Sequence, residues 1–268
     1  MSLTASGVLE APAQEFYHHA LEVLRASDVP VLVGGAYAFA NYTGIVRHTK
    51  DLDLFIRRRD VDAALEALTS AGYRGEIVYD HWLAKVFSDG HFVDLIFNLG
   101  NGVGSVDDQW FESAEDAELL GVPVRMVGPG DMIWSKVFVM DRGRYDGADI
   151  AHLLRAYADR LDWERLLDRF HQHWRVLLGH LVMFGYVYPG ERGRIPQWVM
   201  RELIGRLQQE FDSADNPDES LCLGPLLSPT AYEIDIEEWG YRDPRLPPHG
   251  DLTPEQIEQW TEGVRAGR

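Results

Sequence analysis

The stretch Gly34–Phe55, GGAYAFANYTGIVRHTKDLDLF, decides how this sequence folds. It begins with two glycines after the apolar run Val31–Val33 and ends with two aspartates, Asp51 and Asp53, separated by one leucine. Glycines after a strand let backbone N–H groups approach an anion closely, and the N-terminus of a following helix adds partial positive charge. The stretch therefore predicts a strand, a glycine turn and a helix that could seat a phosphate, although a glycine pair is more often only a turn.

The two aspartates belong to Asp51–Ile56, in which polar and apolar residues alternate. Alternate residues of a strand share a face, so the pattern predicts a strand that carries Asp51 and Asp53 side by side. Neighbouring carboxylates repel each other unless a cation lies between them, and Mg²⁺ prefers carboxylate oxygens and accepts phosphate oxygens. The pair is therefore either a magnesium site or a solvated polar face.

A third aspartate follows on a predicted hairpin. The alternating runs Trp82–Phe87 and His91–Phe97 flank Ser88-Asp89-Gly90, and Asp-Gly between such runs is typical of a tight hairpin turn. Asp94 lies on the second arm, which we expect to pair beside the strand of the first two aspartates. Three convergent carboxylates can hold two metal ions about 3.5–4 Å apart, which clamp the attacking and leaving oxygens of a phosphoryl displacement.

These residues resemble a known superfamily. Gly34-Gly35, Asp51-Leu52-Asp53 and Val93-Asp94-Leu95 are similar, in order and spacing, to the three motifs of the nucleotidyltransferases of DNA polymerase beta type. The resemblance implies an α+β fold, with a small mixed β-sheet flanked by helices and a mainly helical C-terminal region. It also implies an NTP substrate seated at Gly34 and Gly35, and a two-metal Mg²⁺ site in which Asp51 and Asp53 bind both ions. Asp94 would complete the catalytic metal site.

Two further segments resemble subgroups of that superfamily. Arg47–Asp53 is similar to segments of abortive-infection-type toxin nucleotidyltransferases and of lincosamide and aminoglycoside nucleotidyltransferases, which implies that Arg47 and Thr49 belong to the nucleotide site. The closeness of Arg47 to Asp51 in the sequence suits either phosphate binding or orientation of the metal-binding carboxylates. Pro129–Lys136 is similar to the toxin-type segment that delivers a lysine to the nucleotide phosphates, and this gives Lys136 a catalytic role. The chain departs from that subgroup at His152, where a second aspartate is common. A tRNA-modifying toxin and a small-molecule adenylyltransferase therefore remain competing interpretations.

Composition narrows the partners of such a protein. The 268 residues include 25 Lys and Arg against 43 Asp and Glu, and the net charge of −18 disfavours extended contact with nucleic acid. We therefore expect a small molecule or a confined RNA end, such as a tRNA end, as acceptor. No segment approaches the ~20 apolar residues of a membrane span, and the N-terminus lacks the basic and apolar regions of a secretory signal. With Cys222 as the single cysteine, the sequence favours a cytoplasmic protein without disulfides.

The pattern along the chain predicts three regions. Residues 1–127 would form the nucleotidyltransferase core, residues 128–211 a helical domain that completes the cleft, and residues 212–268 an acidic, Pro-rich, loosely ordered tail with a helix at Pro254–Gly263. In the middle region, apolar spacing predicts one continuous helix over Asp162–Leu178. A module that keeps this fold and binds nucleotides without catalysis is the alternative to an enzyme. Loss of an aspartate would have favoured it, and none is lost.

Overall fold

The computed structural model of the protein describes residues 11–212, 218 and 220–266. The chain divides into two compact units at Gly128, and the first unit takes up a later segment, Gly250–Gly263. The second unit runs from Pro129 to His249 and includes the last residues of the chain. Each unit contains its own buried apolar core.

The first unit alternates helices and strands. Its elements are α1 (Ala11–Ala26), β1 (Leu32–Val33), α2 (Gly35–Thr43), β2 (Asp51–Phe55), α3 (Val61–Ser70), β3 (Arg74–Tyr79), β4 (Leu83–Ser88), β5 (His91–Ile96), α4 (Asp108–Glu112), β6 (Glu115–Leu119) and β7 (Val122–Met126). Within the described residues, seven strands form one sheet in the order β3-β4-β5-β2-β1-β7-β6. The pairs β2·β5 and β1·β7 are parallel and the others antiparallel, so the α+β architecture with a mixed sheet is confirmed.

The centre of this sheet is apolar on the side away from the aspartates. Leu52 and Leu54 of β2, like Val93 and Leu95 of β5, are fully buried. Because alternate residues point to opposite faces, this burial fixes the register of both strands and leaves their aspartates on the other face. The short strand β1 lies beside β2, with Val33 opposite Leu54, so the chain enters the glycine turn next to the aspartate-bearing strand.

The second unit is mainly helical. Its elements are α5 (Pro129–Lys136), the short antiparallel strands β8 (Met140–Asp141) and β9 (Arg144–Tyr145), α6 (Gly147–Tyr157), α7 (Trp163–Phe170), α8 (Trp174–Val187), α9 (Gln197–Asp212) and α10 (Glu233–Glu237). The mainly helical C-terminal region is thereby confirmed. None of the described helices combines the length and the apolar content that crossing a membrane requires.

The prediction of one continuous helix over Asp162–Leu178 is wrong. Helix α7 ends at Phe170, and His171 adopts φ 32°, a left-handed conformation that an α-helix cannot contain. A short 3₁₀ turn, His171–His173, then leads into α8. Such a turn keeps nearly helical spacing between apolar residues, so the periodicity of the sequence does not reveal the break.

The region after residue 212 is better packed than its composition predicts. Leu226, Ser228 and Leu252 are buried, and Arg245 forms a buried ion pair with Asp243. The predicted helix near the C-terminus is present as α11 (Pro254–Ala266), and its Trp260 packs directly on Gly100 of the first unit. Apolar anchors and a paired charge therefore order this segment despite its many Pro and acidic residues. Residues 213–217, 219 and 267–268 of the predicted tail lie outside the described residues.

Candidate active site

The site is built on two neighbouring parallel strands. In the ladder between β2 and β5, Asp53 lies directly opposite Asp94, and Asp51 lies two residues earlier on the same face of β2. One carboxylate oxygen from each of these three residues lies within 4.8 Å of the others. The structure therefore brings together the three aspartates that the sequence singles out.

Asp94 is the most enclosed member of this cluster, with 9% of its surface exposed. Burial raises the pKa of its carboxyl, the Lys85 ammonium lowers it, and the charge of Asp51 raises it again. Lys85 comes from the neighbouring strand β4, where it pairs with Asp94 in register, and its Nζ donates a hydrogen bond to Asp94 Oδ1 at 2.7 Å. A cation of the protein thus already neutralises part of the carboxylate charge.

Asp51 is held by the residue two positions before it. The Thr49 hydroxyl donates a hydrogen bond to Asp51 Oδ1 at 2.5 Å. Beneath this segment, the buried Tyr17 of α1 donates to the carbonyl oxygen of Lys50 at 3.0 Å. Thr49 and Tyr17 therefore fix the start of β2 and the orientation of its first carboxylate, which makes Thr49 a carboxylate-orienting residue in this structure.

The two glycines are required by the packing of β2. A Cβ on Gly34 would lie 2.4 Å from a ring atom of Phe55, and a Cβ on Gly35 would lie 1.8 Å from Asp53 Oδ2. Gly35 also has φ 51°, a conformation that favours glycine. The N-terminus of α2 therefore lies against the Asp53 carboxylate, and its cap residue Gly34 brings no side chain to satisfy the first-turn N–H groups.

Arg47 lies in the segment between α2 and β2. Its guanidinium carbon is 4.6 Å from the centre of the Phe39 ring, a cation–π contact that holds the side chain along α2. Arg47 and its neighbours Val46 and His48 are exposed. This stacking is a structural role that the sequence does not reveal, and it leaves the predicted nucleotide contact of Arg47 a prediction.

Lys136 belongs to the second unit, where it ends α5. Its Nζ lies 2.8 Å from Asp146 Oδ2 and 2.9 Å from Asp149 Oδ2. Arg144 also donates to Asp146, and although burial raises the pKa of Asp146, Arg144 and Lys136 hold it below its usual value. The ammonium of Lys136 is thus fixed by two carboxylates that are each about nine-tenths buried.

Sequence reasoning missed two kinds of residue around the aspartates. Lys85 could have been found, because counting back from the two-residue Asp89-Gly90 turn places it opposite Asp94 in the hairpin. The buried tyrosines Tyr17 and Tyr37 could not, since they come from helices whose contacts with the strands are not encoded by any local spacing. Burial raises the pKa of each phenol, and the charges of Asp51 and Asp53 raise it further.

The donor set fits a hard divalent cation. The three carboxylates and the ammonium of Lys85 together carry a formal charge of −2, and oxygen ligands of this kind suit Mg²⁺ or Mn²⁺. A divalent ion among Asp51, Asp53 and Asp94 would offset the repulsion that their proximity creates.

Solved structures of nucleotidyltransferases are similar to the protein over part of its length. The antibiotic-resistance factor ANT(2'')-Ia, in solution, is 19% identical with a TM-score of 0.44, and the match covers 64% of this chain and 98% of that one. The lincosamide antibiotic adenylyltransferase LnuA is 13% identical with a TM-score of 0.40, covering 56% and 100%. An antigenic nucleotidyltransferase-like protein from Paracoccidioides brasiliensis is 15% identical with a TM-score of 0.45, covering 69% and 93%.

At the level of sequence, no curated protein matches the chain significantly. A family described as uncharacterised nucleotidyltransferases matches residues 14–176, which include the glycine turn, the three aspartates and Lys136. This match spans more than half of the chain and agrees with the mixed sheet and its aspartate cluster. The protein therefore belongs to the uncharacterised nucleotidyltransferase family and is a nucleotidyltransferase.

Proposed function

We propose that the protein transfers a nucleoside monophosphate from an NTP to an acceptor in a Mg²⁺-dependent reaction. An acceptor hydroxyl would lose its proton to solvent while its oxygen forms a bond to the α-phosphorus, the bond between the α-phosphorus and its bridging oxygen to the β-phosphate would break, and pyrophosphate would leave. The observation that carries this proposal is the convergence of Asp51, Asp53 and Asp94 within 4.8 Å on two paired strands.

The net charge of the three aspartates and Lys85 supports binding of the two metal ions in two steps. With Lys85 paired to Asp94, one divalent ion balances the remaining charge of the three carboxylates, so a second ion needs the negative charge of the triphosphate. Bound Mg²⁺ would polarise the α-phosphate and lower the pKa of an acceptor hydroxyl. The two-metal site is therefore expected to be complete only with substrate.

Each aspartate has a distinct part in this proposal. Asp51 and Asp53 bind the cations, and Thr49 keeps the Asp51 carboxylate in place. Asp94 would complete the catalytic metal site and must be ionised to do so. Its burial and the hydrogen bond from Lys85 hold its carboxylate in one orientation.

The phosphates of the NTP are proposed to bind to backbone N–H groups and to one lysine. The uncapped first turn of α2, entered through Gly34 and Gly35, offers N–H groups and a partial positive charge to the triphosphate. Lys136 is proposed as a second phosphate contact, on the resemblance of its segment to a phosphate-binding one. Asp146 and Asp149 would hold its ammonium in a fixed position, which limits the entropy lost on binding.

The acceptor is proposed to be a small molecule or a confined RNA end. A net charge of −18 repels long polyanions, so few phosphates of a nucleic acid can be neutralised. Binding of tRNA and of duplex nucleic acid across a salt series tests this. We expect log K to fall by roughly 0.7–0.9 per phosphate contact for each log unit of salt, and a shallow slope overall. Tight, steeply salt-dependent binding to duplexes would contradict the proposal, whereas binding confined to tRNA ends would favour a toxin-like enzyme over antibiotic modification.

The function itself is tested by incubating the protein with each radiolabelled NTP, Mg²⁺ and a cell extract, and then identifying the labelled molecule. Asp51→Asn and Asp53→Asn should abolish labelling while leaving the fold intact, because each change replaces a charged ligand with an amide of the same size. Near-normal transfer by either variant at saturating Mg²⁺ would refute the metal assignment. Nucleotide binding by the wild-type protein without any labelled product would favour a non-catalytic module.

A further inference from the structure

Tyr37 has a buried hydroxyl that forms no hydrogen bond in the structure. The residue lies in the first turn of α2 and is 8% exposed. Its Oη is fully enclosed and has no hydrogen-bonding partner among the described residues. Buried polar groups are nearly always hydrogen-bonded, so an unpaired phenol needs an explanation.

The position of Tyr37 points to the aspartate cluster. It lies two residues after Gly35, whose backbone lies directly against the Asp53 carboxylate. Burial raises the pKa of the Tyr37 phenol, and Tyr17 and the charges of Asp51 and Asp53 raise it further. The hydroxyl is therefore protonated, able to donate, and within electrostatic range of two of the three carboxylates.

Comparable tyrosines nearby already use their hydroxyls. Tyr17 donates to the carbonyl oxygen of Lys50 at 3.0 Å, and Tyr42, on the same helix as Tyr37, donates to the carbonyl oxygen of Val127 at 3.0 Å. Both follow the rule for buried phenols. Tyr37 does not follow this rule, although it lies near the aspartate cluster. A cation bound to the cluster would change the positions of the carboxylates around it.

We propose that Tyr37 is a positioning residue whose hydroxyl donates to the Asp53 carboxylate when a divalent cation occupies the cluster. Carboxylates that bind a metal through one oxygen commonly accept a hydrogen bond on the other, and such partners raise the affinity for the metal. Asp53 is the carboxylate that lies against the start of α2. The inference rests on the proposed metal-dependent function and adds a residue to it.

The proposal predicts opposite effects on folding and on binding. Tyr37→Phe removes one oxygen that has no partner in the metal-free protein, so the stability to urea should be unchanged or higher. The same variant should bind Mn²⁺, measured with the metal alone by the loss of its free-ion EPR signal, about 10- to 100-fold more weakly than the wild type. A stabilised but weakly binding variant is a signature that a purely structural tyrosine cannot give.

Tyr42→Phe is the matched control, because it removes a phenol oxygen from the same helix. It leaves the Val127 carbonyl oxygen without its partner, so stability should fall, while Mn²⁺ affinity per folded molecule should equal that of the wild type. Asp53→Asn is the control for the site itself and should lose Mn²⁺ binding.

The outcomes separate the two proposals. If Asp53→Asn binds Mn²⁺ like the wild type, the metal assignment fails. If Asp53→Asn loses binding but Tyr37→Phe retains wild-type affinity, the role of Tyr37 is refuted and the metal site stands. If Tyr37→Phe is destabilised as much as Tyr42→Phe, or does not fold, its hydroxyl supports the metal-free fold and the inference is likewise overturned.

Discussion

Lys85 and Asp94 form a cross-strand ion pair at the centre of the aspartate cluster, with Lys85 Nζ 2.7 Å from Asp94 Oδ1. Lys85 also lies 4.0 Å from the centre of the Phe92 ring, so its ammonium is held between a carboxylate and an aromatic face. The pair opposes the effect of burial, which by itself raises the pKa of Asp94. Lys85 thereby keeps a deeply enclosed carboxylate ionised at a lower pH than its burial would allow.

Replacing Lys85 should move the pH dependence of transfer. The wild-type protein loses activity as the pH falls through the folded-state pKa of Asp94, which lies above the ordinary value because of burial, an effect that Lys85 counteracts and the charge of Asp51 reinforces. Lys85→Met removes the lowering contribution, so the acidic limb of the kcat/KM profile should shift to higher pH. Lys50→Met, at an exposed position next to β2, is the control and should leave the limb in place. An unshifted limb in Lys85→Met would show that Asp94 does not control it.

A methyl group at Gly35 should damage the site, whereas the same change at Gly44 should affect stability alone. Both glycines have positive φ, so alanine at either position costs about 1–2 kcal/mol of folding free energy. The Cβ at Gly35 would overlap the Asp53 carboxylate, but no atom lies within 4 Å of a Cβ at Gly44.

Gly35→Ala should therefore lose metal binding and transfer, and Gly44→Ala should retain both when they are compared at equal folded fraction. Urea unfolding and Mn²⁺ titration of the two variants make the measurement. Normal metal binding by Gly35→Ala would mean that Asp53 is not needed in its present position.

Lys136 can be tested by separating its structural and functional effects. Lys136→Met leaves Asp146 and Asp149 buried without their shared partner, which should cost about 3–5 kcal/mol of folding free energy. The double variant Lys136→Met/Asp149→Asn removes one of the two buried carboxylate charges, and Arg144 still pairs with Asp146, so it should recover part of that loss. If Lys136 contacts phosphates, both variants should bind NTP weakly. Recovery of NTP affinity in the double variant would assign Lys136 to the fold alone.

The second unit should lose stability in mild acid through the buried His180 and the half-buried His173. Burial lowers the pKa of His180, although the hydrogen bond to the Val137 carbonyl oxygen raises it, and burial with the charge of His171 lowers the pKa of His173. The unfolded chain binds a proton near pH 6.5, where these side chains are still neutral in the folded protein. The contribution of the two histidines to the free energy of unfolding is therefore complete above about pH 6.5. It is lost as the pH falls toward their pKa values in the folded protein.

The change His180→Gln tests this, since glutamine can donate to Val137 without titrating. Its unfolding free energy should vary less than that of the wild type between about pH 7.5 and about pH 5.5, where one proton accounts for at most about 1.4 kcal/mol per pH unit. An identical slope for both proteins would show that His180 is not responsible.

Local patterns were sufficient to predict the strands that carry the cluster. Alternation in β2 and the Asp89-Gly90 turn before β5 place all three aspartates on one face, and the structure agrees. Such patterns did not predict the break at His171, which depends on a backbone angle. They also did not predict a strand at the edge of the sheet, where few residues are buried. The edge strand β3 is such a case, because its residues are mostly half-buried or exposed and include Gly75. Its existence depends on pairing with β4, which the residues of β3 alone do not reveal.

Among the residues around the aspartates, one could also be predicted from a local sequence pattern and two could not. Lys85 follows from counting in a hairpin, whereas Tyr37 and Tyr17 belong to helices, and only the folded structure shows that the charges of Asp51 and Asp53 act on their buried phenols. Their burial results from packing between a helix and the sheet, and side chains at such positions read as ordinary core aromatics in a sequence. The packing of the segment after residue 212 was missed because its buried Leu226 and Leu252 lie within a region whose overall composition is acidic and rich in Pro.

The parallel pairing of Asp53 with Asp94 also sets when the site can appear during folding. The two residues are about 40 positions apart and their strands are parallel, so they meet only after α3 and the β3–β5 segment have formed a crossover. We expect the β4–β5 hairpin, with its local turn, to form first and to dock on β2 late. A divalent cation would then stabilise the finished protein without guiding the early steps, and a nascent chain that ends before residue 94 has no complete site to bind it.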